Sequence, residues 1–315
     1  MCTAIRFASE EGGVWFGRNL DWDVSYGEQV MAVPAGYEVP WRFLASRASE
    51  HAVIGMAVPG PSGCPLFFDC ANDAGLCVAG LNFPESARYE PAPVPGRVSV
   101  ASSELMLWVC ALHATVDEVE AALADAAVVA VPGESAAPLH WMVADARRSI
   151  VVEATAEGLR VFRDDVDVLT NEPGFAFHRQ NLRNYLGLSV ARPSDARWGG
   201  AAALAPFGLG AGLAGMPGDY SPTSRFVKVA FLNAHHPSCS GEAANRARLF
   251  RTLGAVAVPE GAAQTAAGTW DKTLYQAGFS GDTRTYYAST YEDPAIRAFC
   301  LDDVDFGGKA EPVVL

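Results

Sequence analysis

The sequence predicts a layered α+β fold: strand-like and helix-like segments fall in separate blocks, the strand blocks pair through short turns, and no strand–helix–strand alternation runs through the chain. The first block is a hairpin. CTAIRF is a short β-prone run, SEEGG supplies turn residues, and VWFGRNLDW is a second run rich in β-branched and aromatic residues. This pairing brings residues 18–21 back beside residues 2–5. Further strands are predicted in AVIGMAV (52–58), PLFFDC (65–70) and LCVAGLNF (76–83), the last two joined by a turn at Asn72-Asp73-Ala74-Gly75. From Ser102 to Ala127 the apolar spacing becomes helical, with Thr115 and Glu118 in capping-box spacing ahead of a Val119, Leu123 stripe, and two amphipathic helices are expected. Strands resume in HWMVAD (140–145), SIVVEAT (149–155) and LRVFRD (159–164), while Arg179 to Leu186 and Arg225 to Leu232 read as helices. The Gly-, Ala- and Pro-rich stretch 191–219 reads as an irregular covering loop, and the polar tail 302–315 as a short exposed strand or a frayed end.

A chain of 315 residues exceeds the usual domain length but fits one large α/β unit, so a single domain over 1–315 is expected. Half the residues are hydrophobic and 19% are charged, which suits a folded protein with a sizeable core. The net charge of −13, with 23 scattered Lys and Arg, argues against a nucleic-acid partner. It also gives no long-range attraction for an anionic substrate, which would need local arginines. No apolar run approaches the roughly 20 residues that span a bilayer. MCTAIRFASEE lacks the basic-then-apolar layout of a signal peptide, so a cytoplasmic location without a membrane partner is expected. The seven cysteines (Cys2, Cys64, Cys70, Cys77, Cys110, Cys239, Cys300) are odd in number and lack C-x-x-C spacing, which indicates neither a disulfide framework nor a zinc site. His235 and His236 are adjacent and cannot put both rings on one face, so no metal is expected. Gly208, Gly210 and Gly212 are not followed by the Lys-Ser/Thr of a phosphate loop. No cofactor is expected.

The chemistry centres on Cys2. A small residue after Met1 permits removal of the initiator, leaving an N-terminal cysteine that carries both a thiol and a free α-amine. An α-amine titrates near ~8 and a thiol near ~8.5, so the one can take the proton of the other with little mismatch. The predicted hairpin returns Arg18 and Asp21 toward Cys2, the first offering a cation for a thiolate and the second a carboxylate to orient the ammonium. A charged pair at a strand end is by itself an ordinary surface feature; the coincidence with Cys2 gives it meaning.

MCTAIRF, FGRNLDWD, AGLNFP, LTNEP and GDYSPTSRF, in this order and spacing, resemble the signature segments of the choloylglycine hydrolase family. The resemblance continues through NAHHP, RLFRTLG and TYYASTYEDPAIR to about Asp302. It implies the N-terminal-nucleophile (Ntn) hydrolase fold, an αββα four-layer sandwich with two stacked antiparallel sheets, and a homotetramer. It also implies Cys2 as nucleophile, Arg18 and Asp21 as its polar partners, Asn82 as an oxyanion residue, Asn171 as a substrate-orienting or oxyanion amide, and Arg225 as a structural or electrostatic member of the site. Some relatives read Asn-Asn-Pro where this chain has Asn171-Glu172-Pro173, which leaves the role open between Asn171 and Glu172. The family's main activities are hydrolysis of glycine- or taurine-conjugated bile salts and deacylation of phenoxymethyl penicillin. Asn82, where the family's penicillin acylases tend to carry Tyr, and the local match of FGRNLDW and AGLNFPE lean toward conjugated bile salts as the small-molecule partner. Acyl transfer to other amines, and a silent binding protein if Met1 is retained, stay open. A steroid body needs apolar walls, for which Leu20, Trp22, Tyr26, Phe67 and Leu139 are the candidates, and its acidic tail needs Arg18 or Arg225.

Overall fold

The computed structural model describes residues 1–60, 63–131, 137–200, 202–307 and 311–315. Strands β1 (Cys2–Ala8) and β2 (Val14–Trp22) form the expected hairpin, with Cys2 opposite Leu20, Ala4 opposite Arg18 and Ile5 opposite Gly17. Gly12, at φ 96°, supplies the left-handed residue of the turn, and Ser9 N–H closes it on the Gly13 carbonyl at 2.9 Å.

Two antiparallel sheets are stacked. In the first, β1 and β2 are flanked by Val168–Leu169 on the β1 side and by Trp270–Ser280, Thr285–Thr290 and Arg297–Cys300 on the β2 side. The second runs Gly158–Asp164, Ser149–Thr155, Leu139–Ala144, Cys77–Asn82, Pro65–Asn72, Val53–Pro59, Gln29–Val33 and finally Val313–Val314 of the tail. Helices α1 (Leu105–Leu112) and α2 (Val116–Ala124) lie outside the second sheet, whereas α3 (Phe175–Asn181), α4 (Pro222–Ala234) and α5 (Glu242–Gly254) lie outside the first. The layers are therefore helix, sheet, sheet, helix. One apolar cluster fills the space between the sheets and under α4 and α5, and a second fills the space between the second sheet and α1 and α2.

Three local expectations change. The helical block predicted from Ser102 to Ala127 ends at Ala124, and Ala126–Val129 forms a short strand parallel to Val98–Ala101. α1 is not amphipathic: Leu105 to Ala111 are all buried, in one apolar cluster with Trp41, Val100 and Val128. α2 starts as the capping signal requires, with Thr115 Oγ1 accepting from Glu118 N–H at 3.2 Å and the Glu118 carboxylate accepting from Ala114 N–H at 2.7 Å. The third change is in the first sheet, where Trp270–Ser280 at its centre, and Thr285–Thr290 and Arg297–Cys300 beside it, are strands absent from the sequence reading.

Two β-bulges shape the region around Cys2. Met56 pairs with Asp69 but Ala57 pairs with Phe67, so Phe68 is an extra residue in its strand. Phe67 thus points into the cluster under α1, whereas Phe68 and Asp69 both face the gap between the sheets. On the other side, Asp21 pairs with Thr273 and Leu20 with Tyr275, leaving Leu274 as the extra residue.

Candidate active site

Strand alternation distributes the polar groups of β1 and β2 over two faces. Arg18 shares the inner face with Cys2: its Nη2 donates to Cys2 Sγ at 2.9 Å and its Nη1 to the Phe68 carbonyl at 2.9 Å, a carbonyl that the bulge releases from regular pairing. Asp21, three residues on, faces the helix layer. Its Oδ1 accepts from Thr273 Oγ1 at 2.5 Å, while Oδ2 is buried without a hydrogen bond and lies 3.8 Å from Arg225 Nη1. The hairpin was expected to bring Arg18 to the thiol and Asp21 to the amino end of Cys2; Arg18 lies on the thiol, and the Asp21 side chain lies on the opposite face of the strand, toward Thr273 and Arg225.

Arg225 reaches the site from the first turn of α4. Ser221 caps that helix and Pro222 occupies its first position, so the SPTSRF segment fixes where the arginine emerges. The guanidinium donates to the Cys2 carbonyl, to Thr3 Oγ1 at 2.6 Å, to Asn171 Oδ1 at 2.7 Å and, through Nε, to the Tyr220 carbonyl at 2.9 Å. Asn171 is the hub: Oδ1 also accepts from Cys2 N–H at 2.7 Å, and Nδ2 donates to the Asn82 carbonyl at 2.8 Å. Its backbone is held in turn by His178, whose Nε2 donates to the Asn171 carbonyl at 2.9 Å and whose ring stacks on Phe226. Burial lowers the His178 pKa to about 4, which keeps the ring neutral. Glu172 turns the other way and accepts from Glu85 N–H at 3.0 Å and Ser86 N–H at 2.9 Å. The ambiguity between Asn171 and Glu172 is therefore geometrically one-sided: Asn171 touches Cys2 and Glu172 does not.

Met1 precedes Cys2 and continues the pairing with β2. Its amino group donates to the Asp21 carbonyl at 2.7 Å and to the Asp271 carboxylate at 3.1 Å, while its carbonyl accepts from Asp21 N–H at 2.9 Å. Asn82 contributes its backbone carbonyl, and its half-buried carboxamide makes no hydrogen bond to the described residues.

The charges are set deep in the protein. Burial opposes the Arg18 cation, but Tyr275, Cys2, Asp69 and Asp21 outweigh it and raise the pKa. Burial raises Asp21 despite Arg225 and Thr273, and burial lowers Arg225 despite Asp21. Neither arginine is open to an acidic tail, since Arg18 is 0% and Arg225 1% exposed.

Of the proposed wall residues, Leu20 lies opposite Cys2, and Trp22 and Tyr26 form an aromatic group with Phe68, at ring separations of 6.5 Å and 5.5 Å. Phe67 and Leu139 pack instead in the cluster under α1. Sequence reasoning missed Phe68, Thr3, Thr273, Asp69, Tyr275 and Tyr286. The available signal was the lone carboxylate of PLFFDC within an apolar strand.

The four-layer sandwich, with an N-terminal strand central to one sheet and a cysteine at its start, is the architecture of the Ntn hydrolases. The chain belongs to the choloylglycine hydrolase family of linear amide C–N hydrolases, whose sequence model matches residues 2–314. It is an amide-bond hydrolase by that membership. It is 48% identical over 97% of its length to a bile salt hydrolase/transferase of Bifidobacterium longum subsp. longum, of which the match covers 96%. It is 41% identical to a conjugated bile acid hydrolase of Lactobacillus acidophilus, over 96% of each chain. A crystal structure of a variant of conjugated bile acid hydrolase from Clostridium perfringens superposes with a TM-score of 0.91 at 32% identity, covering 100% of this chain and 96% of the other.

Proposed function

We propose that this enzyme, once Met1 is removed, hydrolyses the amide bond of glycine- or taurine-conjugated bile salts with Cys2 as nucleophile and the Cys2 α-amine as base. The observation that carries the reading is the Arg18 contact to Sγ at 2.9 Å, made while Asn171 holds the Cys2 nitrogen at 2.7 Å. A thiol and the amine that would deprotonate it are thus both fixed by hydrogen bonds before substrate arrives.

The α-amine takes the thiol proton and the thiolate attacks the amide carbon. Negative charge develops on the carbonyl oxygen, for which the second N–H of Asn171 and the carboxamide of Asn82 are the donors. Collapse passes the proton from the α-ammonium to the leaving nitrogen, releasing glycine or taurine and leaving a cholyl thioester on Cys2. Water then attacks the thioester, giving its proton to the same amine, and the bile acid leaves with the thiol restored. Asp21, with an unpartnered oxygen, and Asp271 offer the negative charge that steadies the α-ammonium.

Conjugated bile salts as substrate rest on the named activities of the Bifidobacterium and Lactobacillus relatives, together with the aromatic wall of Trp22, Tyr26 and Phe68 beside the thiol. The homotetramer is supported by the exposed apolar side chains of Leu186, Trp198, Phe207 and Leu209, the kind of surface that a neighbouring copy covers. The single-domain reading is supported by apolar clusters that each draw on distant parts of the chain. Among the described residues, no helix is long and apolar enough to cross a membrane.

The test is a parallel assay of glycocholate, taurocholate and phenoxymethyl penicillin at low and high salt. A rigid steroid buries more apolar area than a phenoxymethyl group, at roughly 25 cal/mol per Å². Both bile salts are expected to be cleaved far faster than the penicillin at every ionic strength. A penicillin that is the better substrate throughout would contradict the substrate assignment and leave family membership standing.

A further inference from the structure

Asp69 is a buried carboxylate that the reaction sequence above does not use. It is 3% exposed and sits on the inner face of its strand because of the Phe68 bulge. Tyr275 Oη donates to Oδ2 at 2.6 Å and Tyr286 Oη donates to Oδ1 at 2.5 Å, so each oxygen is held by a phenol from the opposite sheet. Oδ2 lies 3.9 Å from Arg18 Nη1, and Arg18 Nη2 donates to the Cys2 thiol. The same guanidinium lies over the Tyr275 ring at 5.7 Å from its centroid. Carboxylate, guanidinium and thiol therefore form a line across the gap between the sheets, with both ends fixed.

We propose that Asp69, clamped by Tyr275 and Tyr286, is a positioning residue for Cys2 that acts through Arg18: it holds the guanidinium on the thiol and moderates the positive charge delivered there. The inference rests on Cys2 being the nucleophile. An arginine alone beside the thiol would favour a thiolate that is too stable to leave its counter-ion. A counter-carboxylate one guanidinium away withdraws part of that field, and the thiolate stays reactive. The two phenols set how far, since each hydrogen bond spreads the carboxylate charge.

The other charged and titratable groups facing Cys2 are Tyr275 from the neighbouring strand, Tyr26 from the loop after β2, and Arg225 from α4 with Asp21 and Asp271 behind it. Those facing Asp69 are Arg18, Tyr275 and Tyr286, with the thiols of Cys70 and Cys77 on its far side. Arg18 and Tyr275 both face the two groups, and of the two only Arg18 hydrogen-bonds the thiol. A change at Asp69 is therefore expected to reach Cys2 along that one route.

The test is the pH dependence of Cys2 alkylation by iodoacetamide in the mature enzyme, followed by mass spectrometry. In Asp69→Asn the guanidinium is no longer compensated, and the alkylation midpoint is expected to move about one pH unit to the acid side. In Tyr275→Phe, Oδ2 loses its donor and its full charge faces Arg18, so the midpoint is expected to move to the alkaline side. In an Arg18→Leu background the Asp69→Asn shift is expected to vanish. An unchanged midpoint in Asp69→Asn, or a shift that persists without Arg18, would overturn the proposal. Should Asp69→Asn fail to fold, the Tyr275→Phe shift decides alone, and its absence or reversal overturns the proposal equally. Failure of iodoacetamide to inactivate the unsubstituted enzyme would instead sink the nucleophile reading itself, which keeps the two apart.

Discussion

At the scale of single residues, the site is defined by what each side chain has left to give. Asn171 spends its oxygen on Cys2 and Arg225 and one N–H on Asn82, which leaves one N–H for substrate. Asn171→Ala is expected to lower kcat by roughly 10²–10³-fold, the usual cost of an oxyanion donor. Glu172→Gln, which touches only the turn at Glu85 and Ser86, is expected to leave kcat near that of the unsubstituted enzyme. Steady-state kinetics of the two variants separates them. His178 makes a second prediction, about stability. Its folded pKa of about 4 lies below the ordinary 6.5, so the unfolded chain takes up the proton first as pH falls. Its contribution is fully present above pH 6.5 and is lost between there and pH 4, by roughly 3 kcal/mol. Urea unfolding of His178→Phe across that range is expected to show a lower plateau and a flatter slope than the parent; an equally steep slope would contradict it. Much of this scale was legible in advance: Cys2 and Arg18 meet through a short hairpin, and the turn residues announce it. Asn171 and Arg225 come to Cys2 from 169 and 223 positions away, so no local pattern could place them and only the family resemblance did.

At the scale of elements, the site depends on two irregularities in otherwise regular sheets. The alternation of PLFFDC puts one Phe on each face, but only a bulge puts Phe68 and Asp69 on the same one, and nothing in a run of two aromatics says where an extra residue falls. This is why Phe67 was expected beside the thiol and Phe68 is the one that packs on that face. The same physics hid the strand Trp270–Ser280, whose Leu274–Tyr275 step breaks the period of two, with Lys272 and Gln276 further diluting it. Gly55 makes the first bulge possible. A Cβ there would meet the Asp69 carbonyl oxygen and lie 2.6 Å from Cys70 Cα, both backbone atoms that cannot step aside. Gly55→Ala is accordingly expected to cost about 1–3 kcal/mol of stability and to lower kcat with it, because moving Asp69 and Phe68 moves what Arg18 rests on. Thermal unfolding and turnover measured together check this; an alanine variant of full stability and full activity would show that the bulge has slack.

At the scale of the whole molecule, two stacked sheets place the start of the chain in the middle of the protein, where a terminus is costly unless it has work to do. The layered α+β class was legible from the blocks of strand and helix, and the identity of the four layers followed from the family resemblance. The stretch 191–219 read as a covering loop, and its Trp198, Phe207 and Leu209 are exposed, so none of these three packs on the core of its own chain. All of this serves one claim, that the working N-terminus is Cys2. The most direct test is intact-mass analysis of the purified enzyme, quenched in acid within milliseconds of mixing with glycocholate. The expected result is a chain without Met1 that gains one cholyl group, located on Cys2 by peptide mapping and absent from Cys2→Ala. A fully active enzyme that retains Met1, or a cholyl group carried anywhere but Cys2, would contradict it.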